Sequence, residues 1–128
     1  MLKEHEIRIR VRYAETDPMG LLHHANYFTY FEMGRTELLR AGGGNYREME
    51  EAGLLVVVVR ADCHFQAPAH YDDVLTIRTT IVRVTLAKIQ HQYDVFRDEQ
   101  PLAVGHVTLA VVNRDGKVQL VPEWMRPV

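Results

Sequence analysis

The sequence predicts an α+β fold, in which a curved antiparallel sheet of about five strands wraps one long central helix. Residues 26–41 show a single long helical pattern, and from residue 54 onward apolar side chains recur at every second position, as in strands. With 128 residues, of which 47% are hydrophobic, the chain can build one core, so we expect one domain over residues 1–128. Antiparallel strands can bury a single helix only by curling around it, so the sheet should be curved.

The first strand is predicted over His5–Tyr13, where apolar and charged residues alternate. Tyr13 falls on the apolar face and is therefore expected to point inward, toward the loop of residues 14–25. That loop contains Asp17-Pro18 and Gly20, which are typical turn residues. Tyr13 and Asp17 should therefore be close neighbours.

The long helix is predicted over Asn26–Ala41, with Asn26 as its N-cap and Gly42–Gly44 at its end. Its first half is aromatic on several sides, which indicates that other structure covers it. Gly34 falls on one of these stripes and would let the sheet approach the helix backbone closely. A short acidic helical turn is expected next, over residues 46–52.

Four further strands are predicted, and we expect them to form a meander. They are Leu55–Ala67, Asp72–Thr85, Lys88–Arg97 and Leu102–Asn113. The first has one apolar face, which should be buried, and the second changes its apolar parity near Ile81-Val82, as a bulge would cause. Gly105 in the last strand leaves room for close contact with the helix. A five-stranded sheet still has edges, and a dimer that joins edge strands would cover one of them.

Composition excludes several classes of function. A net charge of −2 and a pI near 6.4 provide no basic field of the kind that nucleic-acid-binding proteins use. The single cysteine, Cys63, excludes an internal disulfide framework and fits a reducing compartment. The N-terminus lacks the apolar core of a signal peptide, and no stretch approaches the roughly 18 apolar residues of a membrane helix. We therefore expect a cytoplasmic protein without a membrane span.

Asp17 is the strongest candidate for chemistry, because a carboxylate beside the start of an aromatic helix could attack a carbonyl or activate water. The alternative is that Asp17 only caps the backbone N–H groups of its own turn. His23 and His24 follow, with side chains expected to diverge, so that one enters the pocket of Asp17. His24 is better placed, through its ring and its backbone N–H near the positive helix end, although a surface histidine is equally compatible with the spacing.

Other site chemistries find less support. A metal site could draw on Asp17, His24, His64 and His70, but no helical His pair or Cys-His spacing is present, so we expect no metal. Cys63 falls on an apolar strand face, where thiols are usually inert. A serine nucleophile is excluded because the chain contains no serine. Arg83 and Lys88 bracket a bend between strands and could hold a phosphate, or simply be solvated.

Three segments, in this order, carry a resemblance to a known family: Tyr13-Ala-Glu-Thr-Asp17-Pro-Met-Gly20, then His24-Ala-Asn26-Tyr27 with Phe31-Glu32, and Tyr71-Asp-Asp-Val-Leu-Thr-Ile77. The chain resembles the hotdog-fold acyl-CoA thioesterases of the 4-hydroxybenzoyl-CoA thioesterase type, including the Tol-Pal-associated branch. The resemblance spans nearly the whole chain. It implies the hotdog fold, with the long helix as the sausage and the sheet as the bun.

The resemblance also implies roles for individual residues. Asp17 matches the catalytic carboxylate, and the backbone N–H of His24 matches the donor that polarises the thioester carbonyl. The His24 ring and Tyr13 match polar residues that shape the site in the Tol-Pal-associated branch. Residues expected to contact substrate are Gly20, Asn26, Tyr27, Arg83 and Lys88, the last two near the coenzyme A phosphates.

By the same resemblance, the chain would hydrolyse a small acyl-CoA, either short-chain or aromatic, to the free acid and coenzyme A. No cofactor is expected, since coenzyme A is part of the substrate. The family's sites form across a homodimer, often within a homotetramer. A non-catalytic acyl-CoA or lipid binder is the alternative on the same fold, with Asp17 serving only its turn. A hotdog dehydratase lacks support because its His-containing helix motif differs.

Overall fold

The computed structural model of the protein describes residues 1–127, and it contains five strands and two helices. In chain order these are β1 Glu4–Arg10, α1 Ala25–Ala41, α2 Tyr46–Glu51, β2 Leu55–Phe65, β3 Val74–Val84, β4 Lys88–Arg97 and β5 Gln100–Val112. Short 3₁₀ turns occupy Tyr13–Glu15 and Glu123–Met125. The predicted α+β class, with one long helix and a five-stranded antiparallel sheet, is confirmed.

The strands lie in the order β1-β3-β4-β5-β2. The expected meander is therefore wrong for β2, which pairs with β5 at the far edge instead of with β3. The reason lies in the connection from β2 to β3, which crosses the end of the sheet instead of turning back on itself. There the Ala69 carbonyl accepts a hydrogen bond from the Leu22 N–H at 2.8 Å, and the Asp73 carbonyl accepts one from the Val11 N–H at 2.9 Å.

The core lies between α1 and the concave face of the sheet. Tyr30, Phe31 and Leu38 of α1 are fully buried. Phe31 stacks on Tyr93 of β4 with ring centroids 4.4 Å apart, and its ring covers Gly105 of β5 so closely that a Cβ there would clash. The expected close contact at Gly105 is thus confirmed. This packing fixes the start of α1 relative to the sheet.

Strand β2 is an edge strand, and most of its residues are exposed in the single chain. Val59 and Phe65, which belong to the face expected to be buried, are 50% and 48% exposed, so that expectation is wrong for this chain alone. The cause is that α1 packs mainly on β1 and β3, which leaves β2 uncovered at the other side of the sheet. The ladder also shifts register between Val58 and Arg60, where β2 meets β5.

Two local predictions have opposite outcomes. The bulge expected near Ile81-Val82 is confirmed by a register shift between Ile81 and Arg83 in the β3–β4 ladder. The first strand, in contrast, ends at Arg10, and Tyr13 begins a 3₁₀ turn with 77% of its surface exposed. Its predicted inward orientation is therefore wrong, because the alternation stops where the strand stops. No helix within residues 1–127 is long and apolar enough to cross a membrane.

Candidate active site

Asp17 organises a tight turn just before α1. Its Oδ1 atom accepts hydrogen bonds from the backbone N–H groups of Met19 at 2.9 Å and Leu21 at 3.1 Å. Gly20 has a φ of +81°, which the turn requires and which most other residues would adopt only with strain. The predicted turn role of Asp17 is therefore present. Its second carboxylate oxygen makes no hydrogen bond to any residue within 1–127, so Asp17 also has a free acceptor.

A cavity of about 300 Å³ lies against this turn. Its wall comes from the turn, the start of α1, the end of β2 and the segment that follows β2. Asp17, His24, Tyr27 and Phe65 all line it. The buried ring of Tyr27 meets the ring of Phe65 edge-on, with centroids 5.0 Å apart. The structure thus gathers Asp17, His24 and Tyr27, as the sequence predicts, around one apolar-walled opening.

Helix α1 begins at Ala25, with His24 in the N-cap position. The prediction of Asn26 as the N-cap is wrong, because Asn26 lies inside the first turn and its side-chain Nδ2 donates to the Glu15 carbonyl at 2.8 Å. The residue before the N-cap, His23, accepts the Ala25 N–H with its Nδ1 at 3.1 Å. The backbone N–H of His24 has no hydrogen-bond partner among the described residues. It is therefore an available donor at the positive end of α1.

The two histidines do not diverge as expected. Their rings stack with centroids 4.2 Å apart, because the His23 ring is tied to the Ala25 N–H and the His24 ring lies over it. Both side chains are exposed, and of the two only His24 lines the cavity. The expectation that a single histidine joins Asp17 is consistent with this geometry.

Glu15 is a site residue that sequence reasoning missed. It is 7% exposed, and its Oε1 accepts the Arg12 N–H and the Tyr30 hydroxyl, both at 2.8 Å. Its backbone carbonyl accepts the His23 N–H at 2.9 Å as well as the Asn26 amide. Burial alone would raise the pKa of Glu15, but the hydrogen bonds from Arg12 and Tyr30 outweigh it, and the pKa is lowered.

Glu15 therefore ties the Asp17 turn to the start of α1. Nothing in the sequence separates this buried carboxylate from an ordinary surface glutamate. The one available signal was its place inside the Tyr13-to-Gly20 motif.

Five predicted site residues do not line the cavity: Tyr13, Gly20, Asn26, Arg83 and Lys88. Tyr13 lies outside it and packs edge-on against Tyr71, with centroids 5.2 Å apart. Arg83 and Lys88 lie toward the opposite end of the sheet: Lys88 pairs with Ala110 of β5, whereas the cavity residue Phe65 pairs with Ala103. Those seven residues of strand correspond to about 24 Å. Neither cation can touch a thioester held beside Asp17 of its own chain.

The other candidate chemistries can also be located. Asp17 and His24 share the cavity, but His64 and His70 do not line it. Within the described part of the chain, no three His, Cys, Asp or Glu side chains lie close enough to hold a metal ion. Burial, with the neighbouring Asp62 charge, raises the pKa of the Cys63 thiol to about 11, which disfavours the reactive thiolate.

Comparison with known proteins identifies the family. Residues 11–127 match the family model of the thioesterase-like superfamily. The chain belongs to this superfamily. A protein of Aquifex aeolicus that has been named only as an esterase is 35% identical over 116 residues, which make up 91% of this chain and 90% of that protein.

Two further comparisons agree. The acyl-CoA thioesterase YbgC of Haemophilus influenzae is 32% identical over 106 residues, which make up 82% of this chain and 78% of that protein. The crystal structure of a probable thioesterase from Bartonella henselae is 34% identical and superimposes with a TM-score of 0.88, covering 93% of this chain and 99% of that one. The expected family and its hotdog fold are therefore confirmed, and this thioesterase-like chain is a thioester hydrolase.

Proposed function

We propose that the protein hydrolyses the thioester of an acyl-CoA with a small acyl group, either short-chain or aromatic, to the free acid and coenzyme A. The observation that carries the proposal is that two residues line the same cavity: Asp17, which has a free carboxylate oxygen, and His24, whose backbone N–H has no partner among the described residues. The acyl-CoA part is supported by the name of the Haemophilus influenzae relative.

The start of α1 stabilises the developing oxyanion. A thioester carbonyl gains negative charge on its oxygen when it is attacked, and the His24 N–H at the positive end of the helix is the donor that meets it. One well-placed donor of this kind contributes about 2.7–4 kcal/mol in measured oxyanion holes. Glu15 holds this donor in place because its carbonyl accepts the neighbouring His23 N–H.

Asp17 supplies the attack in either of two ways. It adds its free oxygen to the carbonyl carbon, the C–S bond breaks, coenzyme A leaves as the thiolate, and water then hydrolyses the resulting anhydride. Alternatively, it takes a proton from a water that attacks the same carbon, and the same C–S bond breaks. Both routes use the free carboxylate oxygen and leave Oδ1 in the turn. Neither consumes a cofactor.

The size of the cavity favours a small acyl group. At about 300 Å³ it lies at the lower limit of small-molecule pockets. Tyr27 and Phe65 present aromatic surfaces to it. Such walls suit a short apolar chain or a flat ring.

A homodimer through β2 is part of the proposal. The exposed valines of β2 lie on an unpaired edge, and a second copy of β2 would satisfy that edge and cover the valines. If the two copies of β2 pair antiparallel, the end of one sheet that carries the β3–β4 hairpin approaches the end of the other sheet that carries the cavity. Arg83 and Lys88 of a second copy would then lie on the side from which coenzyme A phosphates enter, and a homotetramer would pair two such dimers.

The test is a thiol-release assay with a panel of acyl-CoAs of different chain length and ring content. Asp17→Asn keeps Oδ1 as an acceptor for the turn but removes the charge, so we expect kcat to fall about 10²- to 10⁴-fold while the fold is kept. Asp72→Asn is the matched control, because Asp72 is an exposed turn aspartate that does not line the cavity.

A rate in Asp17→Asn close to that of the unmodified protein would refute the role of Asp17. A ligand-induced rise in melting temperature with no thiol release from any acyl-CoA would favour the non-catalytic binder.

A further inference from the structure

One wall of the Asp17 cavity belongs to neither a helix nor a strand. It consists of Gln66, Ala67 and Pro68, which begin the segment that crosses from β2 to β3. Connecting segments are usually more mobile than the elements that they join. A cavity selects acyl groups by size only if its walls stay in place, because the penalty for an oversized group disappears when a wall moves aside. The contacts that hold this wall therefore bear on the choice of substrate.

The wall is held by backbone groups at its start and by a side chain at its end. The N–H groups of Gln66 and Ala67 donate to the Leu102 carbonyl, at 2.8 and 3.1 Å. Pro68 has no N–H, so its carbonyl is the one polar backbone group that it can offer. That carbonyl accepts a hydrogen bond from Nη1 of Arg97, the last residue of β4, at 3.2 Å.

Arg97 is in turn fixed by Asp73. The same Nη1 donates to Oδ2 of Asp73 at 2.7 Å, and Nη2 donates to Oε1 of Gln100 at 2.8 Å. The side chains of Arg97 and Asp73 are only 27% and 23% exposed, and no other ion pair within residues 1–127 has both side chains this little exposed. Water and salt screen such a pair less than a surface pair.

Asp73 also holds the far end of the crossing segment. Its Oδ2 accepts the His70 N–H at 2.8 Å. Burial would raise the pKa of Asp73, but the hydrogen bonds from His70 and Arg97 outweigh it, and the pKa is lowered. The carboxylate is therefore charged at neutral pH, and one ion pair connects both ends of the segment to the end of β4.

We propose that Arg97 and Asp73 are positioning residues that set the largest acyl group the Asp17 cavity accepts. Neither side chain lines the cavity, so both act through the wall that ends at Pro68. Without the guanidinium, the Pro68 carbonyl loses its donor and Asp73 loses its cation, and the wall then moves aside for a longer group. The inference rests on the proposed function in one respect, namely that the acyl group occupies this cavity.

Binding of S-alkyl coenzyme A thioethers tests the proposal without hydrolysis. These compounds have no carbonyl to attack, and their alkyl chain can be lengthened one methylene at a time, from ethyl to decyl. Calorimetric titration of the protein gives a Kd for each. In the unmodified protein, we expect affinity to rise with chain length until the cavity is full and then to fall roughly tenfold at the first excluded length.

Arg97→Met should remove most of that fall. We expect the ratio of the Kd for the first excluded chain to the Kd for the best chain to drop by about tenfold, toward one. A substitution that only unfolded part of the protein would leave this ratio unchanged, because it lowers the amount of binding protein equally for every chain length.

Arg78→Met is the matched control. Arg78 is also a strand arginine paired with a carboxylate, that of Glu6 at 2.9 Å, but it makes no hydrogen bond to the crossing segment. It should leave the length profile unchanged. Asp73→Asn keeps an acceptor for the His70 N–H and loses the charge, so it should shift the profile in the direction of Arg97→Met by a smaller amount. If Arg97→Met does not fold, Asp73→Asn decides.

Four results would overturn the proposal: no thioether binding by the unmodified protein, no length limit in it, an unchanged profile in Arg97→Met, or an equal change in Arg78→Met. These results do not depend on catalysis. A protein that binds thioethers with a length limit set by Arg97, yet releases no thiol from any acyl-CoA, would refute the proposed hydrolysis and support the role of Arg97.

Discussion

One oxygen of the Asp17 carboxylate is already engaged before any substrate arrives. Oδ1 holds the turn, the other oxygen makes no hydrogen bond to a described residue, and Asp17 lines the cavity. The two interpretations that the sequence left open for Asp17, a turn aspartate or a reacting carboxylate, therefore do not exclude each other. Spacing could not separate them because the same residue type suits both roles.

Glu15→Gln should loosen the link between the Asp17 turn and α1. Glutamine keeps one acceptor oxygen but loses the charge that strengthens the bonds from Arg12 and Tyr30, so we expect a loss of about 1–3 kcal/mol in unfolding free energy. We also expect kcat to fall by roughly 10- to 100-fold with a smaller change in KM, because the relation between Asp17 and His24 shifts. Denaturant unfolding and steady-state hydrolysis measure the two effects.

Glu6→Gln is the control for this prediction. Glu6 bonds to Arg78 at 2.9 Å on the exposed face of β1, so its loss should change neither quantity appreciably. An equal effect of both substitutions on kcat would contradict a specific role for Glu15.

His91 should make the protein less stable in mild acid. Burial, assisted by the charge of Arg35, lowers the pKa of His91 to about 3 in the folded state, whereas the unfolded chain takes up a proton near pH 6.5. The contribution of His91 to the free energy of unfolding is therefore fully present above pH 6.5. It is lost as the pH drops toward 3, by up to about 1.4 kcal/mol per pH unit.

The measurement compares unfolding free energies at pH 7 and pH 5 in the unmodified protein and in His91→Gln. The variant should lose about 2 kcal/mol less between the two values, because glutamine does not titrate. Identical losses in the two proteins would show that His91 is not buried in its neutral form.

The wrong predictions for the single residues Tyr13 and Asn26 share a cause. Tyr13 was placed inward by extending an alternation beyond Arg10, where the strand ends. Asn26 has the right chemistry for an N-cap, but its side chain is used by the Glu15 carbonyl, eleven residues earlier in the chain. Local patterns could not reveal either outcome, since both depend on contacts with other segments.

At the scale of elements, periodicity was a good guide. Helix α1 and strands β2 to β5 begin and end close to their predicted positions, because each carries a long apolar repeat that only one secondary structure can bury. Periodicity did not show which other element would pack on each strand face. The apolar face of β2 was expected to be buried, yet the helix lies over other strands.

The contact between α1 and β5 depends on the absence of a side chain at Gly105. Gly105→Ala would drive a methyl group into the Phe31 ring, and we expect a loss of about 1–3 kcal/mol in unfolding free energy, although alanine is the better strand residue. Denaturant unfolding measures it.

A second background tests the cause. In Phe31→Leu, which shortens the side chain that covers Gly105, the same change should cost at least 1 kcal/mol less, because directly contacting residues are coupled. Additive losses would mean that Phe31 is not the obstacle.

The strand order belongs to the whole molecule, and the sequence could not supply it. Strand lengths and turns are compatible with a meander, and the placement of β2 beside β5 is decided by the crossing segment after Phe65. That segment is anchored by backbone groups of Val11 and Leu22, which any residue type could provide. The resemblance to a known family, in contrast, predicted the fold class because it compares whole chains.

Val58→Lys tests the proposed dimer. The dimer would bury the introduced lysine of each copy, and the two like charges would repel each other across the interface. We therefore expect light scattering to give twice the chain mass for the unmodified protein and the mass of one chain for the variant. Hydrolysis should fall with it, if the cavity is completed by a second copy.

Val118→Lys is the control, since Val118 is 63% exposed but lies outside β2. It should leave both mass and hydrolysis unchanged. A monomeric unmodified protein with full activity would contradict the dimer.

The position of β2 also has a consequence for synthesis. Its ladder joins Leu55 to Val112, so the strand leaves the ribosome about half a chain before its partner exists. Pairings this distant in sequence form slowly, and an apolar strand that waits unpaired is prone to aggregate. If translation stalls before β5 is made, the nascent chain should therefore depend on chaperones until β5 has left the ribosome.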